Sequence, residues 1–140
     1  MDNYEQNNAF VYRVTKLFCL ENTKHNLVYI YGADASSRAK LASFAIRNVK
    51  CDKCDDFCIY IYHDDELIET DADLIIINEI QTIPESNLDF ETMLDAYISK
   101  QKRVFITSDR HPLTLQNISA SMKNKIASYF VIADFVEPPK

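Results

Sequence analysis

Five short apolar runs, none of them alternating cleanly with polar residues, limit what this chain can fold into more than any other feature of its sequence. They are Leu27 to Tyr31, Phe57 to Tyr62, Leu74 to Ile77, Val104 to Thr107 and Phe130 to Ile132. A strand with one face in water alternates, whereas a run that is apolar throughout suits a strand covered on both faces, as in a parallel sheet. Helical spacings fill the gaps. Phe10, Val14, Leu17 and Phe18 share one face, and Leu41, Ala42, Ala45, Ile46 and Val49 share another. Phe90, Met93, Leu94, Tyr97 and Ile98 form the clearest stripe, with Ser86 or Asn87 placed to cap it. A fourth pattern runs through Leu115, Ile118, Met122 and Ile126. Strands alternating with helices predict right-handed crossovers and a layered α/β sheet.

A chain of 140 residues supports one core and is too short for two ordinary domains, so a single domain over residues 1–140 is expected. Its 47% hydrophobic and 26% charged residues argue against both disorder and membrane spanning. The start, Met1 to Glu5, has neither the basic residues nor the apolar stretch of a secretory signal, which places the protein in the cytoplasm. A net charge of −6 argues against a surface for the phosphates of duplex DNA, because such affinity comes from clustered Lys and Arg. Proteins are the expected partners.

The first apolar run leads into Gly32, the only glycine of the chain, and then into an amphipathic helix. Strand, loop and helix in that order are the setting of a P-loop. A working P-loop, G-x-x-x-x-G-K-[ST], needs a second glycine so that backbone N–H groups can wrap phosphate. It also needs a Lys for the β and γ phosphates and a hydroxyl for Mg²⁺. Ser37, Arg38 and Ala39 hold those three places. Arg38 keeps the charge on a wider, planar group, and Ala39 has no metal ligand. The third run ends in Asn78 and Glu79, where phosphoryl-transfer enzymes place an Asp that helps to hold Mg²⁺. Asn78 lacks the charge; Glu79 keeps one and is an acid able to polarise a water beside a bound nucleotide.

The stretch Val104-Phe-Ile-Thr-Ser-Asp-Arg-His-Pro112 resembles the sensor-1 strand and loop of the bacterial replication initiator DnaA and its regulatory paralogue Hda. Asp73-Leu-Ile-Ile-Ile-Asn-Glu-Ile-Gln81 resembles the Walker B run of that family, and Asn26-Leu-Val-Tyr-Ile-Tyr-Gly32 its lead into the P-loop. Val131-Ile-Ala-Asp134, followed by Pro138-Pro139, is similar to the segment that closes its ATPase core. These pieces follow the family's order from Asn8 to Pro139. The resemblance implies an AAA+ core, a three-layer domain whose five-stranded parallel sheet runs in the order 5-1-4-3-2, with any nucleotide at the carboxyl edge of the strands. Asp109 takes the sensor-1 position. Lys125 lies near the place of the arginine finger, but only with a one-residue shift, and that role is not carried over. Set against that family, the sequence is expected to lack the lid that follows the core and the initiator-type DNA-binding domain.

Cys51, Cys54, Cys58 and His63 could supply four ligands to zinc, although their spacing is not that of paired knuckles. The alternative is reduced thiols, with Cys58 entering the second strand as a small hydrophobe. His25 and His111 have no nucleophile and acid beside them to suggest a triad. Tyr29, Tyr31, Tyr60, Tyr62 and Tyr97 fall on strands or on a helix stripe, where packing accounts for them. The acids Asp64, Asp65, Glu66, Glu69, Asp71 and Asp73 form a solvated face or a docking surface for a basic partner.

Together these residues predict a pseudo-ATPase without catalytic residues and without a required cofactor. It would regulate or adapt DNA replication initiation by contact with the initiator or another replication protein, alone or as a homo-oligomer. The competing reading is a module that retains ADP or ATP through Gly32, the amides at the start of the following helix and Arg38. A third, single-stranded DNA binding, sits poorly with the acidic charge.

Overall fold

The computed structural model describes residues 11, 13–15, 26–32, 34–48, 59–61, 74–83, 88–100 and 102–134. Strand β1 (Leu27–Tyr31) leads to helix α1 (Ala35–Asn48), then to β2 (Ile59–Ile61) and β3 (Leu74–Ile77). A 3-10 turn (Ile80–Thr82), α2 (Leu88–Ser99) and β4 (Arg103–Ser108) follow. A second 3-10 turn (Pro112–Thr114), α3 (Ala120–Tyr129) and β5 (Val131–Asp134) complete the order. The strands form one five-stranded sheet in the order β2-β3-β4-β1-β5, and every pairing is parallel. Read from the other edge, this is the expected 5-1-4-3-2.

Two apolar layers explain why the strands do not alternate in sequence. Tyr29, Ile75, Ile77, Val104 and Ile106 enter one cluster with Phe90, Leu94 and Tyr97 of α2 and Met122 and Ile126 of α3. Val28, Ile30, Ile76 and Phe105 enter the other with Leu41, Ala42 and Ala45 of α1 and with Val11 and Val14 of an N-terminal helical segment. Neighbouring residues on one strand therefore point into opposite cores, and both must be apolar. At about 25 cal/mol per Å² of apolar surface removed from water, this two-sided burial is the main force holding the sheet.

Two boundaries differ from those the spacing predicts. Leu115 and Ile118 are buried in the same cluster as Met122 and Ile126, but they reach it from the 3-10 turn and the bends after it. Helix α3 starts only at Ala120, where the Ser119 hydroxyl accepts the Met122 N–H at 3.1 Å. The approach to the helix is held by Asn117, whose amide donates to the carbonyls of Ile80 and Ile83 at 2.9 and 2.8 Å. Phe130 is not a strand residue; its N–H donates to the Ile126 carbonyl and closes the helix before β5. Lys125 pairs with Asp95, so this cation braces α3 against α2.

Phe57, Tyr62, the acids from Asp64 to Asp73, His25 and the candidate helix cap Ser86 or Asn87 lie outside the described residues. So do Cys51, Cys54, Cys58 and His63. Among the described residues no cluster of three or more His, Cys, Asp or Glu side chains is placed to hold a metal ion. No helix of the described residues is long and apolar enough to cross a membrane.

Leu94 is wholly buried at the centre of the α2 face. Leu94→Ala should lower the free energy of unfolding by about 2–5 kcal/mol, read from the denaturant midpoint at unchanged slope.

Candidate functional site

Strand register brings the candidate residues together at one edge of the sheet. Tyr31 of β1 is opposite Ser108 of β4 and Asp134 of β5, and Ile77 of β3 is opposite Ile106. The residues that follow these strands, Gly32, Asn78, Glu79 and Asp109, therefore cluster at the carboxyl ends. Crevices there are where open α/β sheets bind ligands.

Gly32 turns the chain out of β1 with a φ of 96°, a value that favours glycine, and its N–H donates to the Ser108 carbonyl at 3.2 Å. Asp34 then starts α1. Its carbonyl accepts the Arg38 N–H at 3.1 Å, and its carboxylate accepts the Ser37 N–H at 2.7 Å. That second bond holds the Asp34 carboxyl below the usual carboxylate range. The helix N-terminus, where a P-loop would present amides to phosphate, thus gives one of them to a side chain three residues earlier.

Arg38 is 5% exposed. Its Nε and Nη2 donate to the two carboxylate oxygens of Glu79 at 2.8 and 2.6 Å, and its Nη1 donates to the Gly32 carbonyl at 3.1 Å. A two-pronged contact of this kind needs the planar fork of arginine; lysine could not make it. Hydrogen bonding to Glu79 pushes the Arg38 pKa still higher, so the guanidinium stays charged despite its burial.

Glu79 reaches this position through a costly backbone. Its φ of 58° and ψ of 60° are left-handed, and among the described residues it is the only non-glycine with a positive φ. Such a conformation costs about 1–3 kcal/mol and persists only where its surroundings hold it. Thr107 supplies one restraint, because its hydroxyl accepts the Glu79 N–H at 3.0 Å and donates to the Glu79 carboxylate at 3.3 Å. The turn beyond supplies another, with the Thr82 N–H and hydroxyl both donating to the Glu79 carbonyl. The Glu79 carboxylate, an acid able to polarise a water beside a bound nucleotide, is bonded here to Arg38.

The remaining candidates do not complete a metal or phosphate site. Ala39 is exposed on the outer side of α1, where it lines an open depression with Ser36, Lys40 and Ser43. Asn78 is exposed and uncharged. Asp109 is bridged by its neighbour Arg110 at 2.7 and 2.9 Å, and this contact lowers its pKa. The Asp109 N–H donates to the Gln81 side chain at 3.3 Å, and the Tyr29 hydroxyl donates to the Arg110 carbonyl at 2.8 Å. Burial raises the Tyr29 pKa well above the ordinary tyrosine value. His111 caps the second 3-10 turn by accepting the Leu113 N–H, and its ring meets Tyr31 edge-on at 5.5 Å between centroids. A triphosphate with Mg²⁺ needs an uncommitted cation, free helix amides and at least one anionic oxygen ligand. Arg38, the Ser37 amide and Glu79 are each engaged elsewhere, so these side chains as arranged do not fit that ligand.

Loop spacing and the family resemblance pointed to Gly32, Ser37, Arg38, Ala39, Asn78, Glu79 and Asp109; the fold brings Gly32, Arg38 and Glu79 into contact and leaves Ala39 on the outer side of α1. Neither pointed to Asp34 or Thr107. Asp34 had a readable signal, an acid just ahead of an amphipathic helix, whereas nothing local marks Thr107 as the anchor of a residue 28 positions away.

A family model described as the bacterial DnaA ATPase domain matches residues 43–133, beginning beyond the altered loop. No curated protein matches the sequence. Among solved structures, AMPPCP-bound DnaA from Aquifex aeolicus superimposes with a TM-score of 0.74 at 18% identity, covering 91% of this chain and 46% of that one. Domain III of Thermotoga maritima DnaA gives a TM-score of 0.77 at 15% identity, covering 95% and 63%. A DnaA structure with AMPPCP and single-stranded DNA gives 0.74 at 17% identity, covering 91% and 46%. The chain thus spans about half the length of the full structures it matches, and at these identities the likeness is one of fold.

Two carboxylates at this edge are held in their charged form by their hydrogen bonds. Asp34 and Asp109 have lowered pKa values in the fold, so their contributions are complete above the unfolded aspartate pKa of about 3.9 and are lost as pH falls through the folded values. Replacing Asp34 by Ala should lower stability at pH 7 and make the loss between pH 7 and pH 3 smaller than in the parent, as followed by urea denaturation at each pH.

Proposed function

The chain belongs to the bacterial DnaA ATPase-domain family, and from that premise we propose that it is a member that has given up ATP hydrolysis and serves replication initiation through protein contacts. The observation that carries this reading is the Arg38–Glu79 pair. Arg38 stands at the place of the phosphate-binding lysine, and Glu79 is the one acid left at the end of β3. In a nucleotide-dependent enzyme both charges face the ligand and its metal. Here they neutralise each other at 2.6 Å.

Support comes also from what surrounds the pair. Ala39 cannot hold Mg²⁺, Asn78 carries no charge, and Asp34 occupies the Ser37 amide. The similar Aquifex protein binds AMPPCP; the residues that would do so in this chain are turned toward one another. A domain that keeps the shape of the ATPase core can still present the surfaces by which such cores associate. It would seat against an initiator-type ATPase or another replication protein and cap an assembly without contributing turnover. Its net charge of −6 favours a protein partner over duplex DNA.

Isothermal titration of ATP and of ADP into the protein, with and without Mg²⁺, should give no binding heat up to millimolar ligand, and no phosphate release should accompany incubation with Mg-ATP. Binding strengthened by Mg²⁺ would contradict the loss of the nucleotide site. Sedimentation velocity of a DnaA initiator mixed with this chain should reveal a complex or smaller initiator assemblies. Unchanged sedimentation of both components would remove the contact with the initiator.

A further inference from the structure

We propose that the Glu79 carboxylate is an internal ligand that replaces the phosphate group mechanically, clasping the start of α1 to the ends of β3 and β4 so that this edge of the domain holds one arrangement without nucleotide. The inference rests on the reading of the site given above and adds what the altered residues do in place of binding.

A phosphate in a P-loop is a bridge. Its oxygens accept from the loop, from the helix N-terminus and from the lysine, and through the metal they engage the acid at the end of a second strand. Removing it would leave a buried cation and a helix terminus with no anion between them, and elements that repel or drift. This chain supplies two carboxylates at those points. Asp34 takes the helix amide of Ser37 from three residues away. Glu79 takes the guanidinium from 41 residues away, and in doing so ties α1 to β3. Thr107 extends the tie to β4 by bonding both the backbone and the carboxylate of Glu79, and the Arg38 bond to the Gly32 carbonyl returns it to the loop after β1. Loop, helix and two strand ends thus converge on one acid.

The left-handed backbone of Glu79 supports the assignment. With φ at 58° the residue departs from the conformation its neighbours use, and the departure aims its side chain at Arg38. A glutamate serving only as a surface charge would have no reason to hold such a backbone. The fork of arginine adds a second reason, because two parallel bonds fix orientation as well as distance, which a lysine cannot do.

Residue-resolved hydrogen exchange on the full chain tests the clasp. In the parent protein the amides of Ser37, Arg38, Glu79 and Thr82 should be protected and unaffected by Mg-ATP. In Glu79→Gln they should exchange roughly tenfold faster or more, while Val104 to Ile106 in β4 keep their protection, as expected for local opening. Arg38→Lys keeps the charge but not the fork, and it should move the same amides in the same direction, which covers the case of a Glu79→Gln protein that does not fold. Unchanged exchange in the folded variants would overturn the clasp, as would an equal loss of protection in β4, which marks a contribution to global stability only. Neither result touches the functional reading as long as the parent ignores Mg-ATP. Slowing of these amides by Mg-ATP in the parent overturns both.

Discussion

An arginine taken out of water must find a counter-charge, and the arrangement of this domain's carboxyl edge follows from where Arg38 finds it. Burial of a lone guanidinium would be prohibitive, and a single neutral hydrogen bond would not compensate it. The Glu79 carboxylate meets it with two bonds, and to do so accepts a left-handed backbone at the end of β3. That backbone in turn needs Thr107 on the adjoining strand and the 3-10 turn behind it. The Thr107 restraint is available because β3 and β4 are neighbours in register, and the turn supplies the other locally. A buried ion pair adds little net stability compared with apolar packing. Its worth here lies in fixing which elements meet, and in making the loss of either partner costly.

A solved structure of similar fold, DnaA from Aquifex aeolicus, is bound to the nucleotide analogue AMPPCP. A site of that kind alternates between two chemical states, with charge arriving and leaving on the ligand. In this chain the charges are part of the polypeptide and cannot leave. The fold of the family is kept in the order of the strands and in the two apolar layers that cover them, while at the strand ends Arg38 and Glu79 bond to each other. A scaffold and its site are separable in this sense, because the core is held by burial and the site by a few oriented charges.

How much of this was readable from the residues depends on how far apart the interacting groups lie. The sheet was legible because two-sided burial leaves continuous apolar runs, and the altered loop was legible because Ser37, Arg38 and Ala39 follow Gly32 at fixed spacing. The start of α3 was misplaced because Leu115 and Ile118 are buried as deeply as helix residues while belonging to a turn, so their spacing imitates a helix. The Arg38–Glu79 bond was not legible. A contact across 41 residues leaves no periodic trace, and either residue alone reads as a remnant of catalysis. Only the placement of α1 over the end of β3 turns two remnants into one pair.

The most direct measurement of the central claim is the NMR signal of the Arg38 side chain in the intact protein. A guanidinium held by Glu79 should give a distinct Nε–H resonance, displaced from the averaged position of exposed arginines, slow to exchange with water and unmoved when Mg-ATP is added. An averaged, rapidly exchanging signal that shifts on addition of Mg-ATP would show that Arg38 is still reserved for phosphate, and would contradict the account.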